Sequence, residues 1–138
     1  VEFRVIGEPA PQGSKAFKGF RRGKAVLVES SLKVKPWREA IGWAVFEAHP
    51  GGVTVPGPVA IDVTFTLRRP KGTPKRIVFP KKKPDLDKLV RSTFDGLTDA
   101  HVIEDDSCVV QLSAAKVFPD TGGDSLLQPG AVIRIVPL

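Results

Sequence analysis

The chain has 138 residues, 41% of them hydrophobic and 26% charged, which suits an ordinary soluble globular fold and a single domain over 1–138. No run approaches the roughly 20 apolar residues of a membrane span, so a membrane partner is not expected. The single cysteine, Cys108, excludes an internal disulfide framework and the usual cysteine-based zinc site, and a cytoplasmic setting is the default expectation.

The net charge is +6, from 21 basic and 15 acidic residues, and it is unevenly spread. Lys15 to Arg38 holds eight Lys/Arg against Glu29 alone. Arg68 to Arg91 holds ten against two, Asp85 and Asp87. Asp95 to Asp124 reverses the balance, with seven acids against Lys116. Basic blocks around a tight acidic cluster point to a polyanion partner, because neutralised phosphates release counterions. The competing reading is a solvated basic face.

Along the chain, residues 1–7 read as a strand with Val1, Phe3 and Val5 on one side, in place of a signal peptide. Residues 8–14, rich in proline and glycine, break regular structure. Lys15 to Gly23 reads as a basic loop with Phe17 and Phe20, and Lys24 to Glu29 as a short strand that could pair with the first. Ser30 or Ser31 can cap a helix ending at Ala48, with Trp37, Ile41 and Val45 on its buried face. Trp43 and Phe46 flank that face and are candidates for a dimer contact, though core burial is the expected fate. Val59 to Leu67 alternates strictly and is the clearest strand. Arg68 to Lys83 reads as an exposed arm, with Ile77 to Phe79 a short edge strand within it. A second helix is expected over 87–97 on the stripe Leu86, Leu89/Val90, Thr93/Phe94 and Leu97. Strands over 108–117 and 131–136 complete the order β-β-α-β-α-β-β. The fold class is α+β, a mixed sheet packed against two helices.

The chemistry concentrates at Asp85 and Asp87, beside the start of the second helix, and at Glu104-Asp105-Asp106. On extended backbone, i and i+2 point the same way, so a late helix start would aim Asp85 and Asp87 into one pocket. Arg91 follows Asp87 by one turn. Asp95 lies a turn further on, paired with Arg91 or solvated. If the 108–117 strand lies beside the helix start, Asp105 or Asp106 would close on the first pair. Three converging carboxylates repel unless a cation sits among them, and oxygen donors suit Mg²⁺ or Mn²⁺. The plain alternative is that these acids are helix caps and turn residues.

At these residues the chain resembles the RusA family of Holliday junction resolvases, small dimeric nucleases of phage and prophage origin. The matching segments are Pro84-Asp85-Leu86-Asp87-Lys88-Leu89, Phe94-Asp95-Gly96-Leu97-Thr98 and Val102-Ile103-Glu104-Asp105-Asp106-Ser107. A looser match is the Gly-x-Pro-x-Pro-x-Gly-Ser-Lys stretch that starts at Gly7. The resemblance implies a RusA-like fold, catalytic metal ligands Asp85, Asp87 and Asp106, and a supporting Asp105. Arg91 stands where the family usually has a catalytic lysine, and Lys88 where it usually has an asparagine.

The expected activity is Mg²⁺-dependent hydrolysis of branched DNA, four-way junctions above all, by a homodimer acting in recombination and repair inside a bacterial host. Arg91 and Lys88 would offset charge on the reacting phosphate. Lys15, Lys18, Arg21, Arg22, Lys81, Lys82 and Lys83 would track the DNA backbone, and Phe17 and Phe20 could wedge at a junction centre. Two other readings compete: a non-catalytic branched-DNA-binding protein on the same scaffold, and a structural protein whose acids are only caps.

Overall fold

The computed structural model describes residues 1–13, 16–21, 24–28 and 32–138, with side chains described for 1–13 and 32–138. The elements in chain order are β1 (Glu2–Ile6), β2 (Ala16–Arg21), β3 (Lys24–Val28), α1 (Val34–Ala48), β4 (Val59–Thr66), α2 (Leu86–Asp99), β5 (Val109–Val117) and β6 (Gly130–Pro137). A four-stranded mixed sheet runs β1-β6-β4-β5, and β2 and β3 form a separate two-stranded sheet. β6 is antiparallel to both β1 and β4, whereas β5 is parallel to β4. A parallel neighbour needs a crossover, and α2 supplies it.

The α+β expectation holds, and its reason is visible in the residue alternation. Val59, Ile61, Val63 and Phe65 are buried on one face of β4, beside Phe3 and Val5 of β1 and Ile133 and Ile135 of β6. Trp37, Ile41 and Val45 of α1 and Leu89, Val90 and Leu97 of α2 join them in one core. Trp37 Nε1 donates to Thr93 Oγ1 at 3.2 Å, and that hydroxyl donates to the Leu89 carbonyl at 2.8 Å. The polar atoms at the helix–helix contact are thereby satisfied, as burial demands.

Five local expectations are corrected. Residues 16–21 form a strand, not a loop, so the order gains a strand before α1. β3 pairs with β2, from Ala16↔Val28 to Arg21↔Lys24, and not with β1. Residues 77–79 form no strand; Pro70, Pro74, Pro80 and Pro84 deprive the arm of ladder donors. Trp43 and Phe46 are 67% and 57% exposed, edge to face at 6.1 Å. Trp43 lies two residues past Ile41, roughly 200° around the helix from the buried stripe. The N-cap of α1 is Lys33, so neither expected serine holds that position.

Candidate active site

The chain enters α2 through Pro84 and Asp85. Asp85 occupies the N-cap position with extended backbone (φ −71°, ψ 137°), yet its side chain makes no capping hydrogen bond. A capping aspartate would give its oxygens to the first helical N–H groups. Those of Asp85 instead lie 3.6 Å from Lys88 Nζ, and both side chains are half exposed. Asp87 follows in the first turn, also exposed. Asp87, Arg91 and Asp95 recur every four residues and share one helix face. Arg91 is exposed and, among the described residues, forms no hydrogen bond or ion pair.

The far end of α2 places the second acidic group. The helix stops where His101 takes a left-handed backbone (φ 61°). The N–H of His101 donates to the Thr98 carbonyl and that of Val102 to the Leu97 carbonyl, both at 3.0 Å. This is a Schellman ending, with Val102 and Leu97 both buried as its apolar contact. Glu104 then fixes the next turn by accepting from the Gly57 N–H at 2.9 Å. Asp105 caps a 3₁₀ turn over Asp106–Cys108, accepting from the Ser107 N–H at 2.9 Å; the Ser107 side chain first, and then that N–H, hold its carboxyl below the usual range.

Asp106 comes back against the helix. The Thr98 hydroxyl lies 2.8 Å from Asp106 Oδ1 and 2.9 Å from the Phe94 carbonyl, and can give its proton to only one at a time. Asp95 sits beside Asp106: burial first, and then the Asp106 charge, push its carboxyl above the usual range. Arg38 and Arg91 pull the other way. The Arg38 side chain is itself committed to Asp99, through Nε at 3.0 Å and Nη2.

The helix does not start late as expected, because it begins at Leu86, so Asp87 lies in its first turn and only Asp85 is on extended backbone. The structure therefore sets Asp85 beside Lys88 and, separately, Asp95 beside Asp106. It does not close Asp106 on Asp85 and Asp87. Asp87 and Thr98 are eleven residues apart, which is about 16 Å along the axis. Among the described residues no group of three or more acids, histidines or cysteines is placed to hold one ion. The cause is topological. β5 starts at the C-terminal end of α2 and ends near its N-terminus, where Lys116 Nζ donates to the carbonyls of Lys82 and Pro84 at 2.9 and 3.0 Å.

Lys81, Lys82 and Lys83 stand exposed just before Asp85. The side chains of Lys15, Lys18, Arg21 and Arg22, and of Phe17 and Phe20, lie outside the described residues. The loop before them is laid along α2: Gln12 N–H donates to the Lys88 carbonyl at 3.1 Å and Ser92 Oγ to the Ala10 carbonyl at 2.6 Å. Gln12 Oε1 is buried there and has no hydrogen-bond partner among the described residues. Asp95 was expected to pair with Arg91 or to be solvated, and is instead partly buried beside Asp106. Sequence reasoning gave no role to two further residues: Lys116, alone among acids, carried a weak signal, and Gln12 carried none.

A family model described as "Endodeoxyribonuclease RusA" matches residues 7–125. The chain belongs to the RusA endodeoxyribonuclease family. The match spans Gly7, where the looser Gly-x-Pro resemblance begins, and the acidic groups at both ends of α2. A similar protein is the "Uncharacterized protein YqaN" of Bacillus subtilis (strain 168), 29% identical over 131 residues and covering 87% of this chain and 89% of the relative. In this RusA-family chain no helix among the described residues is long and apolar enough to cross a membrane.

Proposed function

We propose that this RusA-family protein is a divalent-metal-dependent endodeoxyribonuclease, formed by a single domain over 1–138, that resolves four-way and other branched DNA. It would work as a homodimer in recombination and repair, inside a bacterial host that carries it as a phage or prophage protein. The observation that carries the reading is the uncapped Asp85 beside exposed Asp87 and an Arg91 unpaired among the described residues, on the helix that the family match covers.

The donor chemistry fits Mg²⁺ or Mn²⁺. All candidate ligands are carboxylate oxygens, those of Asp85 are not spent on the helix end, and Asp95 and Asp106 crowd each other. Asp85, Asp87 and Asp106 would be ligands, with Asp105 beside them. A bound ion would lower the pKa of water and polarise a phosphate oxygen. The separation of about 16 Å along α2 supports the dimer: two α2 helices antiparallel across a two-fold would set the Asp85 end of one against the Asp106 end of the other.

The chain's own residues have definable tasks. Arg91 would clamp a phosphate between the two acidic groups, and its guanidinium stays charged throughout. Lys88 is held near Asp85, where it offsets charge developing on the phosphate. Lys81, Lys82 and Lys83 supply counterion-releasing contacts to the strand that arrives at α2.

The test is incubation of the full chain with a labelled four-way junction and a matched linear duplex, in Mg²⁺ or EDTA, beside Asp87→Asn. Paired nicks in the junction alone, lost in EDTA and at least about 100-fold slower in the variant, are the expected result. Tight junction binding with no cleavage in Mg²⁺ or Mn²⁺ would favour the binding-protein reading. Absence of any junction affinity would sink both.

A further inference from the structure

The arm over 68–84 does not lie flat. With Glu8, Pro9, Leu67 and Phe118 it encloses a cavity of about 530 Å³, within the range of roughly 300–1,000 Å³ typical of small-ligand pockets. The arm is held open by its own bonds. Arg69 Nη2 donates to the Pro74 carbonyl at 2.8 Å, and the guanidinium stacks 4.6 Å above the Phe118 ring. Thr73 Oγ1 donates to the Pro70 carbonyl at 2.7 Å, and Lys116 pins the arm's end through Lys82 and Pro84.

Two features of the lining define the ligand. Buried Leu67 and Phe118 make an apolar floor, and Phe79, 67% exposed, leaves a ring face open to a guest. Lys71, Arg76, Lys81, Lys82 and Lys83 also line the cavity, and none forms an ion pair among the described residues. The one lining carboxylate among the described residues, Glu8, is engaged by Lys33 at 3.3 Å and by Arg68 at 4.0 Å. A flat apolar group carrying negative charge at its edge meets both demands. A small anion alone would leave the ring unused, and a neutral aromatic would leave the cations unused.

We infer that this cavity takes one unstacked nucleotide of a DNA strand, its base against Phe79 and its phosphates on the Lys81–Lys83 run. The inference rests on the reading of the protein as a DNA-processing enzyme and adds to it a base-binding subsite. The lining ends at Pro84, one residue before Asp85, so the neighbouring phosphate of the same strand is delivered to the acidic face of α2. Branched DNA offers such a nucleotide at lower unstacking cost than duplex does, and the cavity thereby contributes to selection of branched DNA over duplex.

The experiment is fluorescence anisotropy of the full chain in EDTA with two labelled five-residue oligonucleotides. One carries a single thymine among four abasic residues; the other is wholly abasic. Wild type is expected to prefer the thymine probe by about 5- to 150-fold, the size of one base–aromatic stack. Phe79→Ala should abolish that preference and Phe79→Trp should keep it, with unchanged circular dichroism and melting temperature. Equal affinity of wild type for the two probes would overturn the subsite, as would a preference that survives in Phe79→Ala. The outcomes separate from those of the function itself. Base-dependent binding without junction cleavage would support the cavity and count against the nuclease; cleavage without base dependence would do the reverse.

Discussion

Gly96 lies where α2 crosses α1, and adding one methyl there tests how closely the acid-bearing helix is seated. A Cβ at this position would lie 2.8 Å from Ile41 Cδ1, 3.4 Å from Ile41 Cβ and 3.5 Å from the Arg38 Cα. Ile41 is fully buried between the helices and the sheet. Alanine would gain about 1 kcal/mol over glycine in a helix interior. Overpacking a dense core costs about 1–3 kcal/mol. Only the terminal Cδ1 is severely close, so a cost near the middle of that range applies, and Gly96→Ala should destabilise by about 1 kcal/mol. Ile41→Val removes that Cδ1 at its own cost of about 0.5–1.5 kcal/mol. In that background the remaining distances are close to ordinary, and Gly96→Ala should stabilise by up to about 1 kcal/mol. Urea unfolding of the four proteins measures the cycle, provided m stays constant. A change of sign between backgrounds is the expected result. The same effect in both backgrounds would refute the packing argument.

Asp124 accepts from Arg134 through both carboxylate oxygens, at 2.6 and 2.8 Å, which holds its carboxyl below the usual range. A depressed folded pKa gives stability that is present above the unfolded value and lost as pH falls through the folded one. The pair is partly exposed, so Asp124→Asn should cost at most about 1 kcal/mol at pH 7 and nothing once both states are protonated, as urea melts at the two extremes would show. Replacing Lys81, Lys82 and Lys83 together by alanine should flatten the plot of log binding constant against log salt for a DNA junction by up to about 2.7, because each phosphate left without its lysine lowers the slope by about 0.9. Arg91→Ala should slow junction cleavage by about 100-fold with binding nearly intact. Arg91→Lys should stay within about tenfold of wild type, because charge and not proton donation is the task assigned to the guanidinium. Wild-type turnover in Arg91→Ala would remove that residue from the mechanism.

The fold was legible wherever burial enforces a period. β4 alternates because its neighbours β5 and β6 flank it and both helices cover one face, so every second residue must be apolar. The stripes of α1 and α2 repeat at helical spacing because each helix buries one side. Legibility failed where structure does not depend on a core. The β2–β3 sheet joins a basic stretch that reads as a loop, and the arm over 68–84 is shaped by prolines and side-chain-to-carbonyl bonds that leave no hydrophobic period. Trp43 and Phe46 were misplaced for the opposite reason: large apolar residues suggest burial, but their angular position on α1 turns them outward.

The candidate site divides along the same line. That Asp87 and Arg91 share a face follows from spacing alone, since four residues along a helix are about one turn. That Asp106 joins Asp95 at the far end depends on which end of β5 meets which end of α2, a property of the crossover that local sequence does not encode. Capping, the plain alternative for all these acids, can now be judged residue by residue. Asp105 is a cap, with its oxygen on the Ser107 N–H. Asp85 occupies the cap position and does not cap, and Asp95 bears a carboxyl that burial and Asp106 make harder to ionise. A fold seeking stability alone would use the first and replace the third with a neutral residue. Keeping both, on a helix whose exposed arginine forms no hydrogen bond or ion pair among the described residues, is the arrangement that the proposed cation and phosphate would offset.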